Sequence, residues 1–352
     1  MGAPYNQSFS GPQYLAGANQ QVQIQSSDVI RRAWIRVTQQ LTCTSGNNTV
    51  AKTLPGDDLG GMNFQIKANA ADTLMDLPGV ALYRINRWML SKNFLLPTPV
   101  NTDLGDGATA NPALDTTLQF PIFGCPRNAR AADTWLYANP LRNLTFYSRF
   151  APSYTSVNAS ASGYTANPAI LYQLETGTPG VSTKTPGALI LPGYGSRWLT
   201  QSAVFSGAGN NQQIQLPTGY AAYARILIQA TTTASPPVDT GGLITNCQVR
   251  NGTQLQWDIP EDILNSSCRD GGWRGQIQGT GGIAYNTSGN ISASTAEAGW
   301  YMLDFIPDGR LEESILTPGN TNLTLNFNLS AGCTINLYYN QILKLVNGNP
   351  SP

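Results

Sequence analysis

The feature of the sequence that most constrains the fold is an internal repeat of short blocks. Five blocks in the first half of the chain recur in the same order in the second half, although the spacing between them differs. The paired blocks are Ser45–Gly56 with Gly209–Gly219, Tyr83–Ile85 with Tyr223–Ile226, Leu118–Ile122 with Leu255–Ile259, Asn143–Phe146 with Asn322–Leu325, and Leu171–Leu174 with Tyr338–Ile342. Repeated strands joined by loops of different length are typical of duplicated β domains. The repeat therefore predicts two copies of one domain.

The domain limits are predicted from the repeat and from local composition. The first domain is expected over residues 28–180 and the second over residues 195–345, each of ordinary domain size. A linker rich in Gly and Pro, residues 181–194, is predicted to join them. Residues 1–27 are predicted to form an extended N-terminal arm, and residues 346–352 a C-terminal tail. The arm holds no Lys, Arg or apolar run, so we do not expect a secretory signal there.

Strand patterns dominate the chain, because short runs rich in Val, Ile, Thr and aromatic residues are separated by clusters of Gly, Pro and Asn. Val29–Val37, Tyr223–Ile228 and Asn322–Leu329 are examples, and the last alternates polar and apolar residues as a half-buried strand does. The few helical patterns are Ala70–Leu77, Pro260–Leu264 and Leu311–Leu316. The predicted fold class is all-β: two tandem eight-stranded jelly-roll barrels with long loops and few short helices.

Several of these segments together resemble a known family. The resemblance is carried by Val29–Val37, Gln213–Ile228, Tyr301–Leu311, Leu323–Phe327 and Ile335–Tyr339. They resemble the double jelly-roll major capsid proteins of tailless icosahedral bacteriophages, of the tectivirus, corticovirus and finnlakevirus type. The resemblance covers residues 28–345 and is strongest in the second barrel.

The resemblance implies a viral major capsid (coat) protein with no enzymatic activity. Such a protein would self-assemble as pseudo-hexagonal homotrimers into an icosahedral shell that encloses the genome, with its barrels upright in the virion surface. Its implied partners are further copies of itself through lateral capsomer contacts, other capsid or vertex proteins, and an internal membrane. It would be synthesised in the host cytoplasm.

Charge and composition agree with a packed structural subunit. The 20 Lys and Arg balance the 20 Asp and Glu, only 11% of the residues are charged, and Arg outnumbers Lys fifteen to five. Protein interfaces are enriched in Arg and depleted in Lys. The same composition would also result if a β protein had simply drifted toward Asn and Thr. With no net charge and no basic arm, we expect no sequence-specific nucleic-acid binding, which argues against the coat of a single-stranded RNA virus.

Candidate chemical sites are weak in this sequence. Histidine is absent, which removes His-dependent nucleophile systems and His-ligated zinc sites. The carboxylate pairs are better explained as solvated turns or helix N-termini than as glycosidase acids. The Gly-rich segments lack phosphate-loop order, and the Asp residues of one loop lack EF-hand spacing. The residues considered are Asp57–Asp58, Glu261–Asp262, Glu312–Glu313, Gly193–Gly195, Gly279–Gly282, Asp103, Asp106 and Asp115. No catalytic, cofactor-binding or metal residue is assigned, and no cofactor is expected.

The Trp, Cys and Arg225 side chains are interpreted as structural. Core or interface positions explain the Trp residues better than sugar-stacking platforms do. They are Trp88, Trp135, Trp198, Trp257, Trp273 and Trp300. The five scattered Cys residues are expected to be reduced, with a Cys247–Cys268 disulfide as the alternative. Arg225 lies in an otherwise apolar strand, so it is expected to form an ion pair or to face an interface.

Two other function classes remain open from the sequence. A carbohydrate-binding adhesin or tail-fibre module would also be all-β and rich in Asn, Gly and Thr, but would need exposed concave aromatic residues. A β-sandwich glycoside hydrolase would need a carboxylate pair across a cleft. Duplication of a whole barrel favours the capsid protein, because two linked barrels allow three chains to build a six-cornered unit.

Overall fold

A computed structural model describes just over half of the chain. The residues it describes are 5–10, 19–24, 29–43, 48–51, 62–90, 101–104, 109–121, 136–137, 144–150, 164–177, 180–181, 189–190, 194–217, 222–235, 237–270, 299–307, 313–316, 322–346 and 349–350. No helix in these segments is long and apolar enough to cross a membrane.

Strands make up most of the described chain. The first thirteen are β1 Tyr5–Ser10, β2 Asn19–Ile24, β3 Val29–Cys43, β4 Asn48–Ala51, β5 Met62–Ala68, β6 Asp72–Pro78, β7 Asn101–Leu104, β8 Thr109–Gln119, β9 Leu136–Tyr137, β10 Leu144–Phe150, β11 Tyr164–Gly177, β12 Gly180–Val181 and β13 Leu189–Ile190. The others are β14 Tyr194–Phe205, β15 Gly209–Gln215, β16 Ala222–Thr232, β17 Ile244–Asn251, β18 Gln254–Pro260, β19 Trp300–Asp304, β20 Ile315–Leu316, β21 Leu323–Leu329, β22 Cys333–Val346 and β23 Asn349–Pro350. The described residues contain two helices, α1 Gly79–Leu90 and α2 Glu261–Asp270.

The chain divides into two compact units, with the main division between Pro192 and Gly193. Strands β1–β13 and helix α1 lie in the first unit, and strands β14–β23 and helix α2 lie in the second. The domain limits expected from the sequence, residues 28–180 and 195–345, stay predictions.

The second unit has the strand order of a jelly roll. Its eight main strands, lettered B to I in chain order, are β14, β15, β16, β17, β18, β19, β21 and β22. One sheet runs β14-β22-β16-β19, which is B-I-D-G, and the other runs β15-β21-β17-β18, which is C-H-E-F. All six pairings are antiparallel. This order is the double Greek key expected of a jelly roll.

The first unit has the same order when its main strands are lettered in the same way. Strands B to I are β1, β2, β3, β5, β6, β8, β10 and β11. They form the sheets β1-β11-β3-β8 and β2-β10-β5-β6, again B-I-D-G and C-H-E-F. In both units one helix lies between strands F and G. The prediction of two tandem eight-stranded jelly rolls with few short helices is therefore confirmed.

The N-terminal segment differs from the arm expected over residues 1–27. Strand β1 pairs with β11, and strand β2 pairs with β10, so both belong to the sheets of the first unit. In Asn19–Ile24, Val22 and Ile24 alternate with polar residues, as in a half-buried strand. This strand was not predicted from the sequence, because the segment has few apolar residues. In the expected linker β12 pairs with β13, and in the expected tail β23 pairs with β22.

Predictions of single elements had mixed outcomes. Val29–Val37, Tyr223–Ile228 and Asn322–Leu329 lie in or at strands β3, β16 and β21, as predicted. The helix predicted over Pro260–Leu264 is confirmed as the start of α2. The helix predicted over Ala70–Leu77 is wrong, because these residues form the end of a hairpin turn and strand β6.

One predicted helix lies partly outside the described chain, and one observed helix was not predicted. Of the helix predicted over Leu311–Leu316, residues 311–312 lie outside the described chain, and Ile315–Leu316 form strand β20. Helix α1 was not predicted, although Val80, Leu82, Tyr83 and Ile85 follow helical spacing.

Aromatic side chains join the two sheets of the first unit. Phe120 stacks on Phe146 with 5.3 Å between ring centroids, and Phe146 stacks on Tyr172 at 5.5 Å. Phe64 meets Phe120 edge-on at 6.3 Å. Each of these rings is almost fully buried, and each buried aromatic side chain stabilises a core by a few kcal/mol. The hydroxyls of Ser148 and Tyr172 form a hydrogen bond that also connects the two sheets.

The core of the second unit follows the strand alternation. Ile226 and Ile228 of β16 and Leu337 of β22 lie on one face of the B-I-D-G sheet and are fully buried. Val249 and Phe327 lie at the inner face of the C-H-E-F sheet and are fully buried as well. The polar residues between them lie on the outer faces, as period-two strands require.

Candidate functional site

The acidic residues at the start of helix α2 have structural contacts. Glu261 Oε1 accepts hydrogen bonds from the Tyr301 hydroxyl at 2.6 Å and from the Gly242 amide at 2.7 Å. Asp262 Oδ1 accepts one from the Ile263 amide at 2.9 Å. Burial, and then the hydrogen bond to Glu261, raise the pKa of Tyr301 well above its ordinary value. The pair therefore stabilises a helix N-terminus, as the sequence predicted.

The other candidate chemical residues are only partly described. Asp57–Asp58, Glu312, Asp106, Gly279–Gly282 and Gly193 lie outside the described residues, while Glu313 is exposed. Asp103 and Asp115 lie in strands β7 and β8. Within the described part of the chain, no three His, Cys, Asp or Glu side chains are close enough to hold a metal ion.

Three of the five cysteines have described side chains, and all three are free thiols. Cys247, Cys268 and Cys333 are buried and form no disulfide, so the alternative of a Cys247–Cys268 bridge is wrong. Burial raises the pKa of the Cys247 thiol to about 12, which makes it unreactive at neutral pH. The side chains of Cys43 and Cys125 are not among the described ones.

The described tryptophans contribute to packing. Trp198 and Trp300 are fully buried, and Trp300 stacks on Tyr338 with ring centroids 6.1 Å apart. Trp257 is half-buried and meets the ring of Phe305 edge-on at 4.9 Å. These rings lie against other side chains and do not form the exposed platform that a lectin would need. Trp88 is half-buried, and Trp135 and Trp273 lie outside the described residues.

Arg225 forms a buried ion pair, as predicted. Its Nε lies 3.0 Å from Asp304 Oδ2, with 6% and 10% of the two side chains exposed. A guanidinium nitrogen of Arg225 also donates to the carbonyl of Ile306 at 3.2 Å, and Asp304 Oδ1 accepts from the Ile306 amide. The pair connects strand D to strand G in the second unit.

A second polar network lies on the same face of this sheet. Gln229 donates to Asp239 Oδ1 at 2.7 Å, and its own Oε1 accepts from Asn336 and from the Tyr338 hydroxyl. The indole Nε1 of Trp300 donates to Asp239 Oδ2 at 2.6 Å. These groups hydrogen-bond one another and so stabilise the sheet. Both carboxylate oxygens of Asp239 accept hydrogen bonds within this network.

The outer face of the C-H-E-F sheet in the second unit is rich in side-chain amides. Asp258 accepts hydrogen bonds from Asn246 at 2.9 Å and from Gln248 at 3.1 Å, and Gln248 Oε1 accepts from Arg250. Asn326 lies on the central strand of the same face. The two charged residues on this face are therefore bound by Gln248, which leaves a mostly uncharged polar surface.

Strand F of the second unit is open to solvent, in contrast to strand F of the first. All residues of β18 are exposed or half-exposed, and Leu255 is 45% exposed. In helix α2, which follows directly, Ile263 is 56% exposed. We call β18 together with Ile263 the β18 surface. In the equivalent strand β6, Leu74, Met75 and Leu77 are buried.

No protein-family model and no curated protein sequence matches the chain. Solved structures do match. The major capsid protein of STIV, the Sulfolobus Turreted Icosahedral Virus, superposes with a TM-score of 0.67 over 97% of each chain at 11% identity.

Two further structures are similar along almost their whole length. The major capsid protein P2 of Bacteriophage PM2 gives a TM-score of 0.59 at 9% identity, over 98% of this chain and 100% of the other. A chain of the PBCV-1 virus capsid gives 0.53 at 10% identity, over 100% and 97%. This chain has the fold of the double jelly-roll capsid proteins. The strand order in each unit and the full-length superpositions thus support the same fold.

Sequence reasoning found some of these features and missed others. Arg225 and the carboxylates of α2 were identified because charged residues stood out in their local patterns. The β18 surface was missed, since Leu255 and Ile263 look like core residues in the sequence. Comparison of the equivalent strands β6 and β18 is the signal that identifies it.

Proposed function

We propose that this chain is a viral major capsid protein that assembles as pseudo-hexagonal trimers into an icosahedral shell enclosing a genome. It is a structural protein and not an enzyme. Its place is the virion, and it is made in the cytoplasm of a host cell.

The observation that carries the proposal is the duplication of one jelly roll, with one strand order and one F-to-G helix, inside a single chain. A closed assembly of three chains then contains six jelly rolls. Six similar units can tile a surface with the local symmetry of a hexagon, while a trimer of single jelly rolls has only three corners. The duplication therefore has a geometric use in a shell and no evident use in a monomeric enzyme.

The use of the polar residues supports a structural role. Four of the described carboxylates, those of Asp239, Asp258, Glu261 and Asp304, accept hydrogen bonds from side chains or main-chain amides of the same unit. A catalytic acid or base must instead reach a substrate.

We propose that the β18 surface is part of the contact between chains in the trimer. Leu255 lies on β18, the outermost described strand of its sheet, and Ile263 lies in the helix that follows it. Both side chains are exposed, and burying exposed apolar side chains at a sheet edge favours association. Strand β6 supports this assignment, because the same strand in the first jelly roll carries buried Leu74, Met75 and Leu77. A second copy of this chain is the occupant, since assembly of identical chains is what the duplicated fold serves.

Further partners follow from the proposed shell. Trimers would meet laterally, and the amide-rich face of the second unit suits such a contact, because amides form hydrogen bonds across a wet interface at a lower desolvation cost than unpaired charges. The two charged residues of this face are already bound by Gln248. Other capsid or vertex proteins and an internal membrane are the remaining partners we propose. The balanced charge of the chain gives no reason to propose sequence-specific binding of nucleic acid.

Electron microscopy of the purified protein tests the proposed function. At high concentration and raised ionic strength, we expect closed shells or sheets built of hexagonal units. Particles without any ordered assembly under every condition, combined with specific binding to a glycan, would overturn the proposal in favour of an adhesin.

A double variant tests the β18 surface separately. Leu255→Asp with Ile263→Asp should fold but remain a monomer, because two charges would be desolvated in the contact. Val238→Asp is the matched control, since Val238 is an apolar residue of similar exposure, 55%, outside the β18 surface. If the double variant assembles as well as the control, the β18 surface is not the contact, while assembly of the unaltered chain would still support the capsid function.

A further inference from the structure

The helices α1 and α2 occupy equivalent places in the two jelly rolls. Each follows strand F and precedes strand G, and among the described strands strand G is the outermost one of its sheet in both units. An outermost strand presents a row of main-chain N–H and C=O groups that no neighbouring strand satisfies. In each unit, a side chain of the helix forms hydrogen bonds with the main-chain N–H and C=O groups of one residue of strand G.

In the first unit the contact is made by Asn86, the eighth residue of α1. Asn86 Oδ1 accepts a hydrogen bond from the Gln119 amide at 2.6 Å, and Asn86 Nδ2 donates to the Gln119 carbonyl at 2.7 Å. The next residue, Phe120, donates its amide to the carbonyl of Ala33 in strand D. Main-chain groups alternate in direction along a strand, so those of Gln119 point away from strand D and toward the helix.

In the second unit the contact is made by Cys268, the eighth residue of α2. Its Sγ accepts a hydrogen bond from the Met302 amide at 3.1 Å and lies 3.6 Å from the Met302 carbonyl, to which the thiol donates. Phe305 donates its amide to the carbonyl of Ala224 in strand D. By the same alternation, the main-chain groups of Met302 point toward the helix.

We infer that Asn86 and Cys268 are equivalent edge-closing residues, each of which replaces a missing neighbour strand at one residue of strand G. A side-chain amide and a thiol have little in common except that each carries one donor and one acceptor in reach of a peptide group. Both side chains are nearly fully buried, so water does not supply these hydrogen bonds. The two residues are equivalent because each is the eighth residue of its helix, and because each bonds both the N–H and the C=O of one residue of strand G.

The consequence is that the G edge of each jelly roll is closed to strand addition by another copy of the chain. This inference goes beyond the proposed capsid function and does not depend on it. It requires only that free chains exist at some concentration before they associate, when an open edge would promote aggregation.

Residue-resolved hydrogen exchange tests this inference in the full chain. In Cys268→Ala the Met302 amide should exchange at least about tenfold faster than in Cys247→Ala, because only the first variant removes its acceptor. Cys247 is a suitable control, since it is an equally buried thiol in strand β17. Equal exchange of the Met302 amide in the two variants would overturn the inference.

The first unit offers a test that separates the two hydrogen bonds. Asn86→Asp keeps the acceptor for the Gln119 amide and removes the donor, whereas Asn86→Leu removes both. The Gln119 amide should therefore stay protected in Asn86→Asp and exchange at least about tenfold faster in Asn86→Leu. Equal protection in both variants would contradict the assigned role.

The unaltered chain provides a measurement that needs no variant. If the edges are closed, the Gln119 and Met302 amides should exchange within about tenfold of the Leu227 amide in the interior strand β16. Exchange at the rate of an exposed turn amide, such as that of Thr253, would overturn the inference even if every variant failed to fold.

Discussion

At the scale of single residues, the ion pair between Arg225 and Asp304 is the interaction whose loss should be most costly. Removing one partner leaves a buried charge without compensation, which typically costs about 3–5 kcal/mol. Arg225→Ala should lower the free energy of unfolding by that amount in urea titrations. The exposed pair of Arg32 and Glu175, at 3.7 Å with 59% of the Arg32 side chain exposed, gives the control. Arg32→Ala should cost about 1 kcal/mol or less. Equal losses in the two variants would contradict the buried pair.

Tyr172 gives a prediction about alkaline pH. Burial raises its pKa from 10.0 to about 12, while the hydrogen bond with Ser148 lowers it. Between pH 10 and pH 12 the folded chain keeps this proton and the unfolded chain loses it, so stability should fall as pH rises through this range.

Tyr172→Phe removes this titrating group and provides the test. The variant should be less stable by about 1–2 kcal/mol at pH 8, because Ser148 loses a buried hydrogen bond. It should also have a shallower decline in melting temperature between pH 10 and pH 12 than the unaltered chain. An unchanged slope would contradict the prediction.

The sequence predicted the contacts of single residues where a charged residue lies in an apolar segment. Arg225 in an apolar strand predicted a buried partner, and Asp304 is that partner. Asn86 and Cys268 were not identifiable in this way, because neither conflicts with a helix and each acts on a strand that is distant in the sequence.

At the scale of elements, Gly299 determines how strand β19 begins. Its φ of 77° lies in the left-handed region, and an added Cβ would lie 2.6 Å from the Ala230 carbonyl oxygen and 2.8 Å from the Thr240 nitrogen. Its carbonyl also accepts a hydrogen bond from the Ala230 amide. The start of β19 is therefore packed against main chain that cannot easily move.

Gly299→Ala and Gly242→Ala form a matched pair for this element. Gly242 has the same φ of 77°, but nothing lies within 4 Å of an added Cβ. Gly242→Ala should cost about 1–2 kcal/mol, the penalty of the left-handed conformation alone. Gly299→Ala should cost at least about 3 kcal/mol, because main chain must also shift. Urea unfolding of both variants checks this, and equal costs would contradict the packing at Gly299.

The sequence predicted which segments form strands. It mostly did not predict which strand of the first jelly roll corresponds to which strand of the second. Two pairs of repeated blocks fall on equivalent strands: Asn143–Phe146 with Asn322–Leu325 at strand H, and Leu171–Leu174 with Tyr338–Ile342 in strand I. Most of the block Ser45–Gly56 lies outside the described residues. Tyr83–Ile85 lies in a helix, whereas its paired block lies in strand D. The conclusion of a duplicated fold was correct, although much of the local evidence for it was coincidental.

The wrong helix prediction at Ala70–Leu77 has a physical cause. Asn69 and Ala70 have φ values of 52° and 59°, which form a tight turn between β5 and β6. Pairing with β5 then holds Asp72–Pro78 as a strand. Local residues with good helix propensity were overridden by this hairpin, because propensity differences of a few tenths of a kcal/mol per residue are smaller than the energy of pairing and burial.

At the scale of the whole molecule, the structure explains why the chain has few charged residues and many side-chain amides. Charges in the described segments occur mainly where a partner holds them, as at Arg225 and Asp258. The remaining outer faces carry Asn, Gln and Thr, which can be covered by another subunit without leaving an unpaired charge. This distribution of polar residues is what a subunit that is covered on several sides requires.

Sedimentation equilibrium shows whether three duplicated chains form one six-cornered unit, as we propose. We predict a particle of three times the chain mass of 37.7 kDa, in reversible or stable form, at micromolar concentration. A single-chain mass at every concentration and ionic strength would contradict the proposed trimer.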